Sequence, residues 1–144
     1  MADRTWVAIT IHPDDLEHKS WLEYIKDNGE GDGGGDPNYW YDYECYYANW
    51  TELGHLAQEG VRFAGDHGAG DEYSPHVFFH DGDGLMNESP TGTWDNNRIC
   101  VRVTNGEPYG IHGGDVDEQL ALYSRYHKFW NELNKATKEK FNGT

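Results

Sequence analysis

Residues 5–11 (TWVAITI) alternate, with Val7, Ile9 and Ile11 to one side and Trp6, Ala8 and Thr10 to the other. They are rich in β-branched side chains, so the spacing predicts a strand. A helix over 13–27 is expected next: Pro13 suits a first turn, Asp14 and Asp15 suit the positive end of the dipole, and Leu16, Trp21, Leu22 and Ile25 supply an apolar side. Asn28-Gly29 stops it. Residues 38–47 show period two again, with Tyr39, Tyr41, Tyr43, Cys45 and Tyr47 on one strand face and Trp40, Asp42, Glu44 and Tyr46 on the other. Asn49-x-x-Glu52 reads as a variant capping box opening a short helix to Gln58, with Trp50, Leu53, Leu56 and Ala57 inward and Gly60 as the stop.

Residues 61–64 and 76–80 read as short strands forming an antiparallel pair, separated by the loop 65–75 (GDHGAGDEYSP) and followed by the turn Asp81-Gly82-Asp83-Gly84. Residues 98–103 alternate with Ile99, Val101 and Val103 inward, and Asn105-Gly106 supplies a turn. Asp115-x-x-Glu118 opens the longest helix, over 115–140, with the stripe Val116, Leu120, Tyr123, Tyr126, Trp130 and Leu133. The order β-α-β-α-β-β-β-α predicts an α+β fold: a small, mainly antiparallel sheet, with a long C-terminal helix and one or two shorter helices packed on one face.

The chain of 144 residues suits a single domain, 1–144. Residues 29–37 (GEGDGGGDP) interrupt the pattern with a flexible acidic, glycine-rich loop. Aromatic residues reach 15%, which points to a ring-rich core despite a modest apolar fraction of 36%. No stretch approaches the roughly 20 apolar residues of a spanning helix, and the first residues lack the basic and apolar regions of a signal peptide. A cytoplasmic location is therefore expected. Cys45 and Cys100, without a CxxC partner, are expected to be two thiols rather than a disulfide.

Charge changes the picture most. The net charge is −15; residues 14–44 and 52–95 each contribute −8, whereas 119–144 contribute +3. Such a field repels phosphate backbones and anionic membrane surfaces and attracts basic ones, so neither direct nucleic-acid binding nor membrane binding is expected. Solubility or adaptation to high salt is the plainer reading of the same acidity.

Motifs of catalysis are incomplete. His67, His76 and His80 cluster in sequence with Asp81 and Asp83, which invites a metal-site reading. On a strand, however, His76 and His80 lie about 13 Å apart, too far to share one ion at bond lengths of about 2 Å. Asp81-Gly82-Asp83-Gly84 lacks the register of a calcium loop, the glycine-rich stretches lack the Lys-Ser/Thr of a phosphate loop, and no GxSxG is present. His112 near Asp115, or His67 near Asp71, are weak acid–base pairs. No cofactor is expected.

The tyrosine stripe at 39–47 reads either as sheet core or as a recognition surface. Carboxylates interleaved with rings are what a protein needs to occupy a basic groove built for nucleic acid. The leading expectation is thus a non-enzymatic inhibitor or decoy, a nucleic-acid mimic of anti-defence or immunity type. It would bind the basic surface of a nucleic-acid-handling protein through Asp27, Glu30, Asp32, Asp36, Trp40, Asp42 and Glu44. The alternative is a small metal- or ligand-binding domain or enzyme using region 63–83, with His67, His76, His80, Asp81 and Asp83. The discriminating feature is an acidic row on one face against histidines converging in one pocket.

Overall fold

A computed structural model describes residues 3–32, 35–94, 101–104, 107–110 and 116–142. Five antiparallel strands form one sheet: β1 (Arg4–Ile11), β2 (Tyr39–Tyr46), β3 (Phe63–His67), β4 (His76–His80) and β5 (Asn87–Pro90), in the order β2-β1-β3-β4-β5. Three helices accompany it, α1 (Lys19–Asn28), α2 (Trp50–Gln58) and α3 (Val116–Phe141), and β6 (Val101–Thr104) pairs with β7 (Glu107–Gly110) as a separate ribbon. The fold is α+β, with the expected antiparallel sheet, long C-terminal helix and two shorter helices.

The helices divide between the two faces of the sheet rather than sharing one. Val7, Ile9, Ile11, Phe63 and Phe78 point toward Trp21 and Tyr24 of α1 and Leu53, Leu56 and Ala57 of α2. Ala64, Val77 and Phe79 point the other way, with Trp94, onto Tyr126, Phe129 and Leu133 of α3. The alternation Val77-Phe78-Phe79, apolar at every position, is the signature of a strand buried on both sides. Gly65 sits where β1 and β3 approach closely: a Cβ there would lie 2.1 Å from the Ala8 carbonyl oxygen.

Local chemistry redraws several expected boundaries. The helix expected over 13–27 is a 3-10 turn, Pro13–Asp15, followed by α1. His12 Nδ1 accepts the Asp14 N–H and His18 Nδ1 accepts the Ser20 N–H, so two imidazoles act as successive caps and split one helix into two. β2 carries a bulge: Thr5 faces Cys45 and Val7 faces Asp42, so a two-residue step on β1 spans three residues of β2. The extra residue reverses the alternation and puts Trp40 and Cys45, expected on opposite faces, into the same core. Asn49 occupies the N-cap position of α2, but its side chain makes no cap bond; its Nδ2 donates to the Tyr24 hydroxyl at 2.9 Å instead. The strand expected at 61–64 begins at Phe63 and runs on to His67, into the expected loop. Cys100, the Asn105-Gly106 turn and the His112–Asp115 pair lie outside the described residues.

Candidate functional site

Two regions gather chemistry-bearing side chains, and one backbone feature joins them. Tyr47, Ala48 and Asn49 have φ of 48°, 55° and 53°, a left-handed turn built from three non-glycine residues. Each such residue costs about 1–2 kcal/mol relative to right-handed backbone. The turn is held from outside: the Tyr47 N–H donates to the Asp3 carbonyl at 2.7 Å, and Asn49 is tied to Tyr24.

On one side of this turn lies an acidic groove of about 560 Å³ between α1 and α2, walled by Glu23, Tyr24 and Asp27 from α1 and by Glu52 and His55 from α2. The loop before β2 is tied back onto that strand, because the Asp32 N–H donates to the Tyr41 carbonyl at 2.7 Å. Asp42, Glu52 and Asp32 all act on the Cys45 thiol, which burial first and these carboxylates second push up to about 12. Burial likewise raises the Tyr24 phenol, with Glu52 and Asp42 adding to the effect. Glu23, Asp27 and Glu52, from two helices, therefore wall one groove, and Asp32 and Asp42 lie near enough to Cys45 to act on its thiol.

Of the residues expected to meet a partner, Asp27 lines this groove, and Asp32 and Asp42 are near enough to Cys45 to act on its thiol. Glu44 is paired with Arg4 at 2.8 Å. Asp36 lies elsewhere, in a cavity with Asn38, Tyr39, Trp130 and Asn134. Glu30 is exposed in the loop. Trp40 is corrected outright: it is 1% exposed, packs edge-on to Tyr24 and donates its Nε1–H to the Gly29 carbonyl, so it is core and not a surface anchor. The exposed rings of the stripe are Tyr39, Tyr43, Tyr46 and Tyr47. Glu23 and Glu52, which complete the groove, were not among the expected residues; α1 and α2 meet only in the fold.

On the other side of the turn is a cavity of about 300 Å³, lined by Tyr47, Ala48, Trp50, Tyr73, Ser74, His67, His76 and Glu88. β3 and β4 pair so that His67 stands opposite His76. Glu88 stands opposite Phe78 on β5, on the same face as His76. The ligand atoms of His67, His76 and Glu88 lie within 4.8 Å of one another. His67 Nδ1 donates to the Gly68 carbonyl at 2.7 Å, leaving Nε2 as its lone-pair nitrogen. Burial lowers the His67 pKa, so the ring is neutral at pH 7. His76 Nδ1 and Glu88 Oε2 are 3.0 Å apart.

Aromatic packing fixes this corner. Trp50 stands edge-on to His67 and to Phe78, and Tyr73 stands edge-on to His67 at 5.5 Å. The buried Asp3 carboxylate accepts the Asp71 and Glu72 N–H groups at 2.9 and 3.1 Å and so holds the segment that delivers Tyr73. The Tyr73 hydroxyl lies beside the Ala48 N–H, shut off from solvent and without a well-formed hydrogen bond.

The other expected metal ligands do not join this cluster. His80, at the far end of β4, is 2% exposed and turns Nδ1 to the Val61 carbonyl and Nε2 to the Gly84 carbonyl. Asp81 is held by Arg125 of α3 through Nε at 3.2 Å and Nη2 at 2.8 Å, and the Asp83 carbonyl accepts from the same guanidinium. The Asp81–Gly84 turn is a tether for α3. No protein-family model matches the chain, and neither does any curated protein or solved structure.

Proposed function

We propose that the protein is a binding module for the basic surface of a nucleic-acid-handling protein, acting as an acidic mimic of nucleic acid. The observation that carries this reading is the convergence of Glu23, Asp27 and Glu52 from α1 and α2 on one groove, with Asp32 and Asp42 near enough to Cys45 to act on the same thiol as Glu52. Bringing like charges together costs self-repulsion, and a basic partner would relieve it. The net charge of −15 and the exposed Tyr43 support the same reading, since carboxylates replace phosphates and rings lie against guanidinium groups. The surface is thus discontinuous rather than the linear segment 27–44.

The test compares two variants of equal net charge. One carries Glu23→Gln, Asp27→Asn, Asp42→Asn and Glu52→Gln; the other carries Glu17→Gln, Glu59→Gln, Glu118→Gln and Glu139→Gln, all exposed and outside the groove. Proteins captured from source cells on wild type at low salt are identified by mass spectrometry, and their affinities for the three chains are measured. A basic nucleic-acid-binding protein should be captured, released by salt and displaced by DNA. Rim-exposed carboxylates contribute about 0.2–1 kcal/mol each, so the groove variant should lose at least about fourfold in affinity and the control less. Equal losses in both variants, or capture of no nucleic-acid-binding protein, would refute the reading.

A further inference from the structure

We propose that His67, His76 and Glu88 form a site for one divalent transition-metal ion, with an open coordination position facing the aromatic cavity. The site is independent of the acidic groove, and neither reading rests on the other.

The donor set points to the ion. Two imidazoles and one carboxylate suit Zn²⁺, Co²⁺, Ni²⁺ or Fe²⁺, whereas Ca²⁺ and Mg²⁺ want an all-oxygen shell of six or more. The strand argument that separates His76 from His80 does not apply to His67. Directly opposed residues of antiparallel strands have Cβ atoms about 4.5–5.5 Å apart, within reach of a shared ion. His67 and His76 occupy such a pair of positions, and their rings are 5.7 Å apart at an interplanar angle of 28°. Ligands on one tetrahedral ion are about 3.3 Å apart, so the present span of up to 4.8 Å needs a closure of only about 1.5 Å. Glu88, whose side chain is 42% exposed, is the ligand free to make that movement.

Orientation is already in place at the buried end. A metal-bound histidine usually gives its other N–H to a carbonyl or carboxylate, which fixes tautomer and ring plane. His67 does so to Gly68. At His76 the contact with Glu88 is one that an ion would replace: the ring takes the Nε2–H tautomer, and Nδ1 and the carboxylate oxygen both turn to the metal.

Three protein ligands leave a fourth position open, the arrangement of reactive rather than purely structural zinc sites. That position faces walls of Tyr47, Trp50 and Tyr73. A volume of about 300 Å³ is roughly ten waters' worth of space, enough for a small ligand bound to the ion at one end and to the rings at the other.

The experiment titrates metal-stripped full-length protein with Zn²⁺ by calorimetry and with Co²⁺ by visible absorption, with a large excess of Mg²⁺ present. Expected are one equivalent bound, visible Co²⁺ bands of four- or five-coordinate type, and quenching of tryptophan fluorescence that is reduced in Trp50→Phe. His76→Ala and Glu88→Gln should each weaken binding at least about tenfold. Both are partly exposed positions, so they decide the matter even if His67→Ala fails to fold. His18→Asn, which keeps a side-chain cap for α1, should leave the affinity unchanged. No Zn²⁺ binding at about 100 μM, binding unaltered by His76→Ala and Glu88→Gln, or equal displacement by Mg²⁺ would overturn the proposal.

Discussion

Replacing Asp15 by Asn cuts the tie between the 3-10 turn that leads into α1 and the start of β3. The Asp15 side chain is 14% exposed and accepts three hydrogen bonds from Arg62: the backbone N–H at 2.8 Å, Nε at 3.0 Å and Nη2 at 2.9 Å. Asparagine keeps the shape but presents an NH₂ group to donors. Hydrogen bonds to a charged group contribute about 1.5–3 kcal/mol net. The Arg62 side chain is 33% exposed, so solvent screens part of the ion pair, and a loss of about 2 kcal/mol is expected for the whole contact. For a chain near 150 residues this lowers Tm by about 4–8 °C.

The pH dependence has a definite sign. Burial pushes the Asp15 carboxyl up, but the hydrogen bonds and charge of Arg62 outweigh it and hold the pKa below the ordinary value. The folded state therefore favours the ionised form. Its contribution is present above the unfolded value of about 3.9 and is lost as pH falls through the lower folded value. Urea unfolding of wild type and Asp15→Asn should give a gap that is flat from about pH 8 to pH 5 and narrows below about pH 4. A gap under about 0.5 kcal/mol at neutral pH, or one that does not narrow in acid, would refute the reasoning.

Two further outcomes follow from burial. Cys45 is 4% exposed with its thiol pushed up to about 12, so iodoacetamide at about pH 8 should leave it unmodified in the native protein and alkylate it fully in denaturant; peptide mapping that finds it modified at the same rate in both would contradict this. Trp40→Ala should cost about 3–5 kcal/mol by urea unfolding, because it empties a core position, whereas a loss under about 1 kcal/mol would mean the ring is not packed as described.

The antiparallel pairing of 61–64 with 76–80 was legible in the sequence, and so was the incompatibility of His76 with His80. What stayed hidden was where β3 ends. Gly65, Asp66 and His67 read as loop by composition, yet pairing with β1 and β4 keeps them extended, and in that hairpin register residue 67 falls opposite 76. Counting inward from Phe63 opposite His80 would have found the pair. Glu88 had no such signal: Asn-Glu-Ser-Pro has poor strand propensity and becomes β5 because β4 offers it an edge. The face of Trp40 was misread because a bulge leaves no mark in a run where nearly every residue is aromatic or acidic. The acidity was legible as a total, but which carboxylates meet depends on α1 packing against α2.

The strand order has a consequence for how the protein is made. β1 lies inside the sheet, and every later strand of that sheet is laid against one already synthesised: β2 on one side of β1, then β3, β4 and β5 outward on the other. Assembly can keep pace with the ribosome. One surface must wait, because among the described residues Ala64, Val77, Phe79 and Trp94 are covered by α3, which ends about fifty residues beyond β5. At about 5–20 residues per second that leaves a finished sheet without its α3 cover for several seconds of each synthesis, the interval in which a nascent chain is most open to chaperones and to its neighbours on a polysome.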